Sequence, residues 1–305
     1  MKDNYRIERI SADKLTHLLD LYKNAFGKKV SPEYFKKKFD TKIFGAEYIG
    51  FIAYEDDGCP AAYYGLYPCK VELGGSELLA ATSGDTMTHT AHRGKGFFTR
   101  LAEHTYELAK QSGIVFAFGF PNQNSLKGSV SLGWEYKGEM LRYYSFRTGA
   151  IPISRIAKKI NLSARIFGLK NDENSFFPNS HLIDGAGGVI HDRNYFLYKN
   201  YSEKGIREFN GARAWIKIDG ALKVGDIELR KDIELKSCCR SIIQFAKRRG
   251  VPEVQFMTSA GTLLDRELSS LSKGMDAFPV GHFHFNTNGL DLSKMRYGMC
   301  DLDTF

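Results

Sequence analysis

The run THTAHRGKGFFTR (88–100) sets two glycines one residue apart, Gly94 and Gly96, between the cations Arg93 and Lys95. It lies where a strand-like stretch hands over to an amphipathic one. The first turn of a helix carries unpaired N–H donors and a partial positive charge. Glycine lets that backbone approach an oxyanion closely, and the two cations add charge. The chemistry that suits such a junction is phosphate binding. GxxxxGK[ST] is absent, and in a GxGxxG frame Thr99 stands at the third glycine, so neither common nucleotide fingerprint applies.

Such a loop needs a strand before it and a helix after it. SELLAATSGDTMTHT reads as the strand. Phe97, Phe98, Leu101, Tyr106, Leu108 and Ala109 lay an apolar stripe on a helix over about 94–111, which Gly113 ends. IVFAFGFP is a short apolar run of the kind buried central strands show. NQNSLKGSVSLGW reads as a short helix, and EYKGEMLRYYSFR as a hairpin around Gly138. Upstream, YRIERI is a strand. Ser11 and Ser31-Pro32 start two helices, and Asp57-Gly58 marks a hairpin.

The bulk composition bounds the rest. A chain of 305 residues suits two domains, and 43% apolar residues supply a core for each. Aromatics at 13% favour sheet. There is no apolar run of about eighteen residues and no apolar leader core, so no membrane span is expected. Five cysteines without a CxxC pair fit a reduced, cytoplasmic compartment. The net charge of +8 suits an anionic ligand. The densest basic stretch, with Lys28, Lys29, Lys36, Lys37, Lys38 and Lys42, reads as a solvated helix face.

Residues 149–180 differ in character. IPISRIAKKINLSARIFGLK is a basic amphipathic helix, followed by the polar loop NDENSFFPNS. Such a helix suits a membrane surface or, more often, packing on a neighbouring domain. Beyond it the order of elements repeats. SGD (83–85) matches VGD (224–226), and SGIVFAFGF (from 112) matches RGVPEVQFM (from 249). The second copy is shorter by four residues between these anchors, where the first has its glycine loop.

The order of elements, with the glycine loop at the fourth strand-to-helix junction, resembles the GNAT superfamily of acyl-CoA N-acyltransferases. The family loop, [QR]xxGx[GA], reads here Ala91-His92-Arg93-Gly94-Lys95-Gly96, with Ala91 as the departure. The following block has Asn122 at the family's Asn position and closes on Gly133-Trp134. The likeness covers about residues 5–148, and the second half resembles the same fold without the loop. It implies an α/β (mixed α+β) chain of two GNAT-like domains, each a mostly antiparallel mixed sheet flanked by helices. Residues 1–148 would bind acyl-CoA, 149–180 would link, and 181–305 would form a degenerate second domain. Met87, Thr88 and His89 would meet the pantetheine arm. Arg93, Gly94, Lys95, Gly96, Phe97 and Phe98 would cradle the pyrophosphate, with Asn122 and Ser125 beside the opening between two splayed strands.

The resemblance puts a proton-donating tyrosine in the helix after the Asn. Here that position is Ser129, so Tyr143 and Tyr144 are considered in its place. Asp85, late in its strand, is the first candidate base, although the matching Asp226 argues for a structural role. His89 is the second. His282 and His284 share one face of a strand without a clear third ligand, so no metal is expected. The expected reaction is acetyl transfer from acetyl-CoA to a small-molecule amine. The alternatives are an aminoacyl-tRNA-dependent transferase, which the basic charge suits, and a non-catalytic CoA-binding scaffold.

Overall fold

A computed structural model describes residues 5–160, 162, 166–167, 169, 175–287 and 289–305. Part of the expected linker, including residues 163–165 and 170–174, lies outside the described residues. The chain divides into two compact units. The first comprises Met1–Val71, Glu77–Lys137 and Val280–Asp291, and the second Glu72–Ser76, Gly138–Pro279 and Leu292–Phe305. The division expected at 148 is therefore displaced: residues 138–148 belong to the second unit, and 280–291 return to the first.

In the first unit, β1 (Tyr5–Arg9) precedes α1 (His17–Phe26) and α2 (Pro32–Lys38). Leu18, Leu21 and Tyr22 form the buried stripe of α1, and Gly27 ends it at φ 67°. Strands β2 (Ile49–Glu55), β3 (Pro60–Leu73) and β4 (Ser76–Thr88) follow, then α3 (Phe97–Gln111), β5 (Phe116–Gly119) and α4 (Gln123–Ser131). The sheet order is β1-β2-β3-β4-β5-β13, where β13 is Gly281–His284. Phe97, Leu101, Ala102, Tyr106 and Ala109 of α3 are buried against Ala81 and Ala117 of β4 and β5. On the other side Leu18, Leu21, Phe35 and Phe39 share a core with Tyr63, Tyr67 and Met87.

The second unit holds β6 (Met140–Arg147), α5 (Ile153–Lys159), α6 (Ser180–Ile183), β7 (Gly188–Val189) and α7 (Arg193–Tyr198). Then come β8 (Gly205–Phe209), β9 (Ala212–Asp219), β10 (Ala221–Ile227), α8 (Leu235–Arg248), β11 (Glu253–Ser259), α9 (Leu263–Ser269) and β12 (Met275–Pro279). Its sheet runs β12-β6-β11-β10-β9-β8. Leu235, Cys238, Cys239, Ile242 and Ala246 give α8 its buried stripe. Each sheet is mostly antiparallel and contains a parallel pair, β4/β5 in the first and β10/β11 in the second.

The expected hairpin around Gly138 does not form. Glu135 bridges His282, whereas β6 pairs antiparallel with β11 from Glu253↔Arg147 to Ser259↔Leu141. Leu141 and Tyr144 of β6 are buried, and Tyr144 joins the second unit's core. The edge of β5 is taken by β13, whose Phe283 lies 4.2 Å from the Tyr106 ring. Each sheet thus completes its parallel pair with a strand from a distant part of the chain.

Candidate active site

The parallel strands β4 and β5 pair only at Ala80↔Phe116, Ala81↔Ala117 and Thr82↔Phe118. Beyond Thr82, β4 runs on to Thr88 while β5 ends at Gly119, so the two part. Thr82 sits at the fork. Its Oγ1 is buried with no hydrogen-bond partner among the described residues. Orphaned buried hydroxyls are uncommon, and one at a fork between strands fits a polar ligand group there. A Cβ on Gly119 would stand 3.3 Å from the Trp134 ring and 3.4 Å from Ser83, so glycine gives the fork its close floor.

Within the diverging part, Asp85 adopts φ 50°, in the left-handed region that favours glycine. Its Oδ2 accepts from the Tyr67 hydroxyl at 2.6 Å and pairs with Lys38 Nζ at 2.6 Å. The Lys38 side chain is only 1% exposed. Two expectations change here. Asp85 is the counter-ion of a buried ammonium, so acting as a base would leave Lys38 an uncompensated buried charge. Lys38 leaves the solvated face its neighbours Lys36 and Lys37 occupy.

The glycine loop follows. Gly94 and Gly96 take φ 79° and 75°, and a Cβ at either would meet nothing within 4 Å. The demand for glycine is therefore conformational, and the space beside the loop is open. Gly96 is the N-cap of α3 with no side-chain cap, so the first-turn donors stay available. Arg93 is exposed. Side chains that the sequence reading passed over pin the loop. Asn24 Oδ1 accepts from Thr90 N at 2.9 Å, and His92 Nε2 lies 2.8 Å from Glu55. His92 Nδ1 lies 3.0 Å from the Tyr5 hydroxyl. Lys95 Nζ donates to Tyr5 at 2.6 Å and lies 3.3 Å from His92 Nδ1, so its charge is tethered at the base of the loop. An ammonium only donates, which makes Nδ1 of His92 an acceptor and Nε2–H the donor to Glu55.

The other expected binding residues divide between backbone and packing roles. Met87 is buried in the core beneath α1 and α2, and Thr88 is half-buried. Phe97 is buried under the sheet, and Phe98 fits against Gly128, where a Cβ would come within 2.9 Å of its ring. This contact sets α4 close to α3. His89 is half-buried, and its Nδ1 accepts from Ala91 N at 3.3 Å. Its neutral form then carries the proton on Nε2, which makes that atom a donor rather than a base.

Helix α4 starts at the end of the fork. Asn122 is its N-cap, with Oδ1 accepting from Asn124 N at 2.9 Å and Ser125 N at 3.1 Å. Ser125 Oγ turns back to Asn122 O at 3.3 Å. Ser129 is buried, with its Oγ 2.9 Å from Leu126 O and 2.6 Å from the Tyr136 hydroxyl. Either oxygen of that pair can donate; a Ser129 hydroxyl that donates to Tyr136 leaves the phenolic proton free for another acceptor. Burial raises the Tyr136 pKa, and the Ser129 contact works against that shift. The only signal in the sequence was an aromatic seven residues after Ser129.

Tyr143 and Tyr144 are the other candidates for the proton-donating hydroxyl. Both lie on β6 in the second unit, where Tyr143 donates to Glu253 at 3.2 Å and Tyr144 to Asp265 at 2.6 Å. His282 is buried beside Phe118, and burial lowers its pKa to about 4. His284 contacts Thr287 at 2.8 Å and Glu135 at 3.4 Å.

Asp226, the counterpart of Asp85, is also buried. It accepts from Ser180 N at 3.1 Å and lies 3.2 Å from His191 Nδ1. His191 stands 3.5 Å from Asp301 and 3.6 Å from Cys300 Sγ, its ring stacked on Tyr195. Burial opposes a charge on His191, but Cys300, Asp226 and Asp301 hold its pKa well above the ordinary value. Burial pushes Cys300 up to about 12.

Residues 6–137 match the family model described as an acetyltransferase (GNAT) domain. No curated protein sequence matches the chain. Among solved structures, a GCN5-related N-acetyltransferase from Kribbella flavida is similar at 12% identity and TM-score 0.60, over 92% of this chain and 72% of that one. One from Anabaena variabilis ATCC 29413 is similar at 13% identity and TM-score 0.55, over 92% and 73%. A protein of Enterococcus faecalis V583 described as a "Probable N-Acyltransferase" is similar at 12% identity and TM-score 0.59, over 92% and 73%. At these identities the likeness is one of fold. The forked parallel strands, the uncapped glycine junction and the family match agree: residues 6–137 of this chain are a GNAT acetyltransferase domain.

Proposed function

We propose that the protein is an acyl-CoA-dependent N-acyltransferase that moves an acetyl group from acetyl-CoA to a primary amine of a small molecule. The observations that carry this reading are the end of the β4/β5 pairing at Thr82 and the uncapped, glycine-built N-terminus of α3. The donor supplies an activated thioester and two linked phosphates. The free N–H groups of residues 94–98, with Arg93, suit the phosphates. The thioester would lie along the fork, where Thr82 Oγ1 needs a partner.

The chemistry asks for a new C–N bond and a broken C–S bond. The amine attacks the thioester carbonyl, the tetrahedral centre collapses, and the sulfur leaves. Tyr136, held on Ser129, is the proton donor to that sulfur, and the amine's surplus proton passes to solvent, which returns one to the Tyr136 phenolate. A half-buried phenol whose pKa is raised stays protonated at neutral pH, as an acid in this role must. Asp85 holds Lys38 and shapes β4. The acceptor is a small amine by analogy with the family.

Release of free CoA thiol from acetyl-CoA, followed over a panel of amines, tests it. Amine-dependent thiol release that falls about a hundredfold in Tyr136→Phe supports the reading. Binding of acetyl-CoA without turnover on any amine would point to a scaffold. Salt-sensitive retention on tRNA would favour the aminoacyl-tRNA alternative.

A further inference from the structure

Helix α5 is seated the opposite way round from what its sequence suggests. Its small residues face inward: Ser154 is fully buried and donates to Gly220 O at 2.8 Å, and Ala157 is 2% exposed in the second unit's core. Its large residues face outward. Ile151 is 74% exposed, Ile156 54% and Ile160 58%, and Ile153, which rests on Gly250, is 44% exposed. Ile153, Ile156 and Ile160, three and four residues apart, thus make one ridge along the helix, and Ile151 is exposed two residues before the helix begins. Branched aliphatic residues presented together in this way mark an interaction surface.

The rim of the ridge is basic. Lys159 is exposed at the end of α5. Ser154 N bonds Gly250 O, which brings the end of α8, with exposed Lys247, Arg248 and Arg249, beside the ridge. The nearby acids are already engaged: Asp219 pairs with Lys158 at 2.8 Å and Glu253 with Arg155 at 3.1 Å. Residues 149–170 contain five basic residues and no acidic one.

We propose that this face docks on an anionic lipid bilayer, with the isoleucine ridge in the acyl boundary and the cations at headgroup level. A bilayer takes protruding aliphatic chains without a matching pocket, and its acidic headgroups complement the rim. The binding is weak, reversible and dependent on charge. It is independent of the acyl-transfer reading, because every residue involved lies in the second unit.

The test is co-sedimentation of the full chain with vesicles of phosphatidylcholine alone or with about one-third phosphatidylserine, at low and raised salt. The expected result is sedimentation with the serine lipid only, weakened by salt. Binding should fall at least tenfold both in Ile151→Ser/Ile156→Ser/Ile160→Ser and in Lys159→Glu/Lys247→Glu/Arg248→Glu. All six side chains are exposed, so the variants should fold, and unchanged circular dichroism would verify that. Wild type left in the supernatant overturns the proposal, as do equal binding to both vesicles and unchanged binding by either variant. Light scattering that shows a dimer lost in the isoleucine variant would assign the face to a second copy instead.

Discussion

The two sheets present the same parallel-pair frame and differ most at the junction that follows it. In the first unit, α3 begins twelve residues after Asp85, through a loop whose two glycines hold φ 79° and 75° and whose N-cap has no side chain. In the second, α8 begins nine residues after Asp226, through a loop without glycine. Asp232 and Glu234 stand in that second junction, with Arg230 paired to Asp232 at 2.9 Å. Carboxylates before a helix N-terminus stabilise the helix and repel a phosphate. One frame thus supports an open junction with free first-turn donors or a closed structural corner, and the loop residues decide between them. The junction in the second unit is three residues shorter than that in the first.

The buried aspartates sharpen the contrast. Asp85 is paired with a lysine and Asp226 with a histidine. The largest expected effect is on the first pair. Lys38→Met leaves the Asp85 carboxylate buried beside Tyr67 without its counter-ion, and urea unfolding should show a loss of about 3–5 kcal/mol. Adding Asp85→Asn should recover part of it. A loss below about 1 kcal/mol would mean that the pair is solvated in solution.

Next in size is the contrast between the tyrosines. Tyr136→Phe should lower kcat about a hundredfold, near 2.7 kcal/mol, with KM for acetyl-CoA little changed. Tyr143→Phe should leave kcat within about twofold, since its hydroxyl serves Glu253 in the second unit. The reverse pattern would move the proton donor to β6.

The third concerns pH. The folded pKa of His191 is raised, so its contribution to stability is fully present below its ordinary value of 6.5 and lost as pH rises through the folded value. The folded pKa of Asp226 is lowered by His191 against the opposing effect of burial, so its contribution is present above 3.8 and lost on acidification. Thermal unfolding of wild type beside Asp301→Asn should show the alkaline decline beginning at lower pH in the variant. Identical profiles would deny His191 its charge.

The smallest effect tests what the units share. Asn122 caps α4 through Ser125 N, and Thr262 caps α9 through Asp265 N. Asn122→Ala and Thr262→Ala should each cost about 1 kcal/mol. A much larger loss of acetyl-CoA binding than of stability in Asn122→Ala would give Asn122 a direct role with the ligand.

What was legible in the sequence is what local rules encode. Gly94 and Gly96 were readable because backbone at positive φ favours glycine, and α3 because its apolar residues recur at helical spacing. What failed depends on partners far along the chain. A period of two marks 140–147 as a strand but does not say which sheet it joins. Lys38 sits in a basic run, and nothing local reveals that Asp85, forty-seven residues on, takes it inside. In α5 the isoleucines carry the apolar character, yet Ser154 and Ala157 are the residues small enough for the close approach. Tyr136 reaches Ser129 across the end of α4, a contact no spacing rule anticipates.

The most direct test of the glycine junction is calorimetric titration of CoA and acetyl-CoA into the wild-type protein and into the Gly94→Asp/Gly96→Asp variant. Both sites have open space for a Cβ, so the added carboxylates meet the ligand before they meet the protein. Wild type should bind in the micromolar range, about −8 kcal/mol, and the variant should show no heat of binding. A folded wild type that ignores both ligands, or a variant that binds as well as wild type, would contradict the assignment of CoA to this loop.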